Sequence, residues 1–235
     1  MRAVEPISEL REICQNTRVV KGRTEQHWIS LFYRKLSIYF TWLVLHTSLN
    51  ANNITTINFV LAIIGGVFIA LGNFWLGLIS VLILFVINLF DHVDGEVSRY
   101  HKSSSVKGQY FDSLTGDILH PFYFIGISIA SFNLTGDPAY FVLCSLVIVF
   151  YFANCLVKDF SKEYENKQFH KSPMHSVSLI GKNPKTMIIF FGSSKHFTDL
   201  LIVFCVVFSQ FSFVLVFLSV FVPLSFFFRL RSYFH

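Results

Sequence analysis

Residues 75–99 read WLGLISVLILFVINLFDHVDGEVSR, and this stretch decides the fold. From Trp75 to Phe90 it is apolar and uncharged, as a membrane-spanning helix requires. The helical pattern then runs on through Asp91, His92, Asp94, Glu96 and Arg99 with no breaker other than Gly95. A single helix therefore crosses apolar surroundings and ends in carboxylates at a membrane surface.

The rest of the chain agrees. Its 235 residues are 53% hydrophobic and 14% charged, with 29 phenylalanines, and its mean hydropathy is +0.56. Soluble domains carry about 25% charged residues, so a water-soluble globular enzyme, a disordered chain and a coiled coil are excluded. The expected fold is all-α, a polytopic membrane protein with six transmembrane helices. Besides Trp75–Phe90, the spans are read at about Ile54–Leu71, from Val106 through Asp112 and Asp117 to Phe132, Ala139–Val157, Phe197–Phe208 and Phe211–Phe228. The fifth is short and gains length from Met187–Phe191 if the chain kinks at Gly192. Ahead of them, Trp28–His46 is apolar and aromatic but interrupted by Arg34 and Lys35. It reads as an amphipathic helix lying in the interface with its basic groups snorkelling, and a tilted span is the rival reading. Two regions follow: 1–53, a cytoplasmic N-terminus with the interfacial helix, and 54–235, the six-helix membrane domain.

Charge sets the orientation. Of the 19 Lys and Arg residues, seven lie in 1–53, three around Arg99, seven in 158–195 and two at Arg229 and Arg231. The intervening connections near Gly72, Asn133 and Gln210 hold none. By the positive-inside rule both termini and the acidic cluster face the cytoplasm. The first 27 residues lack a basic-then-apolar leader, so the N-terminus is expected to stay where it was made. The basic excess is thus topological, with contact to membrane lipid, and no nucleic-acid partner is expected. Cys14, Cys144, Cys155 and Cys205 have no paired spacing and read as packing residues.

Four of the seven aspartates, Asp91, Asp94, Asp112 and Asp117, sit at the ends of two apolar helices. Acids at membrane depth are costly and mark function. Asp91 and Asp94 are three apart, so both lie on one helix face within about 60°. Gly95 leaves room beside them for a ligand. Magnesium and manganese prefer carboxylate oxygens, and acids converging from two helices suit a pair of such ions about 4 Å apart acting on a phosphoryl group. Arg99 suits a phosphate oxygen.

Asp91, Asp94, Gly95, Ser98, Arg99, Gly108 and Asp112 follow a spacing that resembles the signature D-x2-D-G-x2-A-R-x8-G-x3-D-x3-D of the CDP-alcohol phosphatidyltransferase family. Two positions depart from it. Ser98 replaces the alanine, and the fourth aspartate is expected at 116, where the chain has Gly116 followed by Asp117. In a straight helix, position 116 lies about 40° from Asp112 and position 117 about 140° away. A π-bulge at Thr115–Gly116 would turn Asp117 back; otherwise His120 takes the missing place or the activity is lost, and Pro121 can distort this turn further. The resemblance implies transfer of a substituted phosphate from a CDP-alcohol, with CDP-diacylglycerol the usual donor, to an acceptor alcohol with release of CMP. It implies that Asp91, Asp94 and Asp112 hold two Mg2+ or Mn2+ ions, with Asp117 as fourth ligand and general base. Gly95, Ser98 and Gly108 would face the cytidine nucleotide and Arg99 its phosphates, with Asn52 and Thr55 lining the pocket. Family members often pair as homodimers.

For an anionic acceptor, Lys182, Lys185, Lys195, His170, His175 and His196 are candidates, although positive-inside charge accounts for the lysines equally well. A divalent-cation transporter also places acids in a bundle, but it explains neither Gly95, Arg99 and Gly108 nor acids at the cytoplasmic end. A catalytically silent relative that keeps lipid or metal binding is the third reading.

Overall fold

A computed structural model describes residues 4–15, 28–103, 105–168 and 195–233. Among them the regular elements are eight α-helices: α1 (Ile7–Gln15), α2 (Trp28–Leu45), α3 (Ala51–Ala70), α4 (Phe74–Tyr100), α5 (Val106–Thr135), α6 (Ala139–Gln168), α7 (Lys195–Val207) and α8 (Phe211–Tyr233). Five of them, α3, α4, α5, α6 and α8, are long and apolar enough to cross a membrane. The chain is an all-α, multi-pass integral membrane protein.

Among the described residues five such helices are found where six spans were expected. The expected fifth span is realised as α7, whose 13 residues reach about 20 Å, short of the roughly 30 Å hydrocarbon core. Met187–Phe191 and Gly192, which were expected to lengthen it, lie outside the described residues. The interfacial segment forms α2, which is not among the five. Lys35 is exposed, as snorkelling requires, but Arg34 is buried, with only 8% of its surface accessible.

Sequence chemistry sets the helix boundaries. Asn73 Oδ1 accepts the amides of Trp75 (2.9 Å) and Leu76 (3.3 Å) and caps the start of α4. At its other end Lys102 takes a left-handed φ of 50°. The amides of Lys102 and Ser103 there donate back to the carbonyls of Arg99 and Ser98, which is the Schellman way of closing a helix. Ser105 then caps α5, its Oγ accepting the Gly108 amide at 3.0 Å.

The chain forms two compact units. The first comprises Met1–Gly65 and Ile79–Leu119. Its apolar contacts gather Leu10, Cys14 and Ile38 with Ile7 and Tyr100, and Ile54, Val93 and Val97 with Leu45 and Phe90. The second comprises Gly66–Leu78 and His120–His235. There α6 packs on α8, and Asn154 Nδ2 donates to the Val222 carbonyl (3.3 Å) and to Ser225 Oγ (3.2 Å). In the same unit α3 and α5 touch backbone to backbone. A Cβ at Gly66 would stand 2.5 Å from the Phe122 carbonyl oxygen, and one at Gly126 would run into the carbonyl of Gly66. Such close approach is how membrane helices gain packing energy. Gly126→Ala is therefore expected to cost about 1–3 kcal/mol by overpacking, read as a lower melting temperature in detergent; an unchanged midpoint would contradict so tight a crossing.

All four cysteines are free and buried, in line with a packing role. Burial, followed by the nearby Glu96 carboxylate, pushes the Cys14 thiol up to about 11, so it stays protonated and unreactive at neutral pH.

Candidate functional site

The acidic residues of the pattern lie in the first unit, where the end of α4 and the start of α5 supply them and the start of α3 supplies a hydrogen-bond donor. Asp94 is buried, with 5% of its surface accessible. Thr55 Oγ1 on α3 donates to Asp94 Oδ2 at 3.0 Å and shares itself with the Ala51 carbonyl at 3.2 Å. The carboxylates of Asp112 and Asp91 both act on Asp94 electrostatically. Those two are exposed. One held carboxylate and two accessible ones thus come from two helices. Among the described residues no group of three or more His, Cys, Asp or Glu side chains is drawn together closely enough to hold a metal ion. The donors available here are carboxylate oxygens, which match magnesium or manganese in chemical type.

The glycines of the pattern have local reasons. A Cβ at Gly95 would press on Arg99 Nη1 at 3.2 Å, because the guanidinium folds back over this position. Arg99 also donates from Nε to the Cys14 carbonyl at 2.6 Å. A Cβ at Gly108 would meet Ser105 Oγ at 3.1 Å and Asn52 Oδ1 at 3.7 Å, so Asn52 and Gly108 stand side by side. Ser98 is half-buried on the last turns of α4.

Asp117 is placed differently from the other three. The π-bulge expected at Thr115–Gly116 is absent, and α5 runs through these residues as α-helix. Thr115 Oγ1 donates to the Phe111 carbonyl one turn back at 2.7 Å, a local bond compatible with the regular ladder. Helical phase therefore turns Asp117 about 140° from Asp112. The former is buried and the latter exposed. Pro121 has no amide hydrogen to give the Asp117 carbonyl.

His120 belongs to the second unit and to a polar cluster there. Its Nε2 lies 3.0 Å from Asp199 Oδ1 and its Nδ1 3.1 Å from the Tyr151 hydroxyl. A carboxylate only accepts, so Nε2 carries the proton, and in the neutral ring Nδ1 accepts from Tyr151. His196 Nδ1 stands 3.9 Å from Asp199 Oδ2. Both ring nitrogens of His120 are engaged within this cluster. Asp199 and Tyr151 were not anticipated, although an aspartate inside the apolar run TDLLIVFCVV is the kind of signal that marks one. Of the acceptor candidates, Lys195 and His196 are half-buried; Lys182, Lys185, His170 and His175 lie outside the described residues.

The CDP-alcohol phosphatidyltransferase family profile matches residues 48–224. The chain belongs to this family. It is similar to cholinephosphotransferase 1 of Homo sapiens, 27% identical over 161 residues, which cover 64% of this chain and 39% of that protein. The Mus musculus cholinephosphotransferase 1 is 29% identical over 161 residues, covering 64% of this chain and 40% of that protein. That of Danio rerio is 28% identical over 160 residues, covering 63% and 40%. The match thus spans about two fifths of these relatives' length.

Proposed function

We propose that this protein transfers a substituted phosphate from a CDP-alcohol to the hydroxyl of an acceptor alcohol and releases CMP, in phospholipid synthesis. The observation that carries the reading is the buried Asp94, held by Thr55 and acted on by Asp91 and Asp112, within the family's spacing at the end of a spanning helix. The acceptor oxygen bonds to the phosphorus that bears the donor's alcohol, the bond from that phosphorus to the CMP oxygen breaks, and CMP leaves with the electron pair. The acceptor's proton passes to a carboxylate, assigned here to Asp117, as general base. Asp91, Asp94 and Asp112, with Asp117 as the fourth, would hold Mg2+ or Mn2+. When bound, these ions supply charge neutralisation for the diphosphate. Gly95, Ser98 and Gly108 face the nucleotide, Asn52 and Thr55 line its pocket, and Arg99 lies near the phosphates.

CDP-diacylglycerol is one donor that fits. A second reading, a CDP-alcohol whose alcohol is choline, is favoured by the likeness to the cholinephosphotransferases. The charge distribution supports a cytoplasmic site and termini, residues 1–53 acting as the interfacial segment of a 54–235 membrane domain, and a homodimer is in keeping with the family. Purified protein with magnesium or manganese tests this. One arm supplies CDP-diacylglycerol with serine, inositol, inositol phosphate, glycerol phosphate or choline. The other supplies CDP-choline with diacylglycerol. Acceptor-dependent, EDTA-sensitive CMP release is expected in one arm; silence of folded protein in both would sink the transferase reading, and metal flux in proteoliposomes would replace it with a transporter.

A further inference from the structure

The carboxylate of Glu96 is almost fully buried, with 1% of its surface accessible. Three neutral donors surround it: Gln15 Nε2 at 2.9 Å and Ser37 Oγ at 2.7 Å on Oε1, and Thr41 Oγ1 at 2.6 Å on Oε2. Gln15 uses its other amide hydrogen on the Arg34 carbonyl at 2.8 Å, joining α1 to α2. Two further bonds tie α4 to the N-terminal segment, Arg99 Nε to the Cys14 carbonyl and Tyr100 Oη to Glu5 Oε2, both at 2.6 Å. The end of α4 is therefore gripped by side-chain hydrogen bonds from α1, α2 and the residues just before α1.

Helical phase gives this grip its meaning. Asp94 and Glu96 are two residues apart, about 200° around the helix, so they leave it on opposite sides. Thr55 holds the first from α3, and Gln15, Ser37 and Thr41 hold the second. A single contact leaves a helix free to roll about its axis; two on opposite sides do not. Asp91, exposed and three residues before Asp94, takes its direction from that fixed rotation. An apolar side chain could fill the same space without needing hydrogen-bond partners, so packing alone does not call for a carboxyl group here.

We propose that Glu96 is a positioning residue: clasped by α1 and α2, it fixes the rotation of α4 and thereby the direction in which Asp91 and Asp94 present their carboxylates. This rests on the transferase reading. The test leaves the acids untouched and uses the full chain in detergent, comparing wild type with Ser37→Ala/Thr41→Val, Glu96→Leu and the conservative Glu96→Gln. Hydrogen exchange and CMP release with each donor are measured on all four. The double variant and Glu96→Leu are expected to lose about 10- to 100-fold in kcat, as outer residues around catalytic groups do, with the donor KM within about threefold. Glu96→Gln keeps an acceptor for Gln15 and Ser37 and stays within about threefold of wild type. Amides of residues 93–100 exchange at least about tenfold faster in the double variant. Unchanged exchange there would overturn the clasp. Faster exchange with unchanged kcat, or a loss carried by KM, would reduce it to a structural contact and overturn the positioning role. Wild type that releases no CMP from either donor would remove the transferase reading instead, and the exchange result then decides alone whether the clasp holds α4.

Discussion

Asp91→Asn is expected to lower CMP release by about 10³-fold, the scale of removing one preorganised electrostatic group from a reacting centre, while leaving the melting temperature where it was. The separation follows from where the fold spends its carboxylates. Asp91 is exposed, whereas Asp94 is buried, faces the carboxylates of Asp112 and Asp91 and accepts a bond from Thr55 that an asparagine oxygen can also accept, so Asp94→Asn is expected to lose activity while its melting temperature holds or rises. Steady-state CMP release with a thermal melt of each variant checks both. An Asp91→Asn protein with wild-type turnover would take this residue out of the metal set.

A loss of about 10² to 10⁴ in kcat is expected for Asp117→Asn, the range for removing a general base. This carboxylate is also where the chain departs from the family spacing. Because α5 runs on without a bulge, a carboxylate at 116 would share the side of Asp112, and the one at 117 lies about 140° around. Gly116→Asp combined with Asp117→Gly tests the register in a single double variant. Activity restored or raised relative to Asp117→Asn would show that the base works in phase with Asp112. A dead double variant beside an active wild type would show that the buried place of Asp117 is the working one.

How far the residues alone could be read differed from feature to feature. The long apolar runs of α3, α4, α5, α6 and α8 announced themselves, because spanning a bilayer imposes length and composition together. The α7 segment was read as a short fifth span, and its 13 described residues carry too little apolar length for that rule. The motif spacing pointed to the Asp91, Asp94 and Asp112 neighbourhood, and Thr55, expected to line the nucleotide pocket, is hydrogen-bonded to Asp94. The bulge was a wrong expectation: glycine permits such a distortion but does not impose it, and Thr115 is tied to Phe111 in the regular helical manner. Glu96 stood in a variable position of the pattern. Its partners Gln15, Ser37 and Thr41 lie 81, 59 and 55 residues away, and nothing in the local sequence of any of them points to another. The His120–Asp199 pair is separated by 79 residues and was out of reach for the same reason.

Helix α4 leads from apolar Trp75–Phe90 to Asp91–Arg99 without a break, so its carboxylates stand at the edge where oil meets water. A water-soluble partner reaches that edge by three-dimensional diffusion, and its concentration is a molarity. A lipid partner arrives by moving within the leaflet, and what counts is its mole fraction there. Turnover should accordingly fall when inert detergent or lipid is added at constant total substrate, a surface-dilution law that the bulk concentration alone would not anticipate.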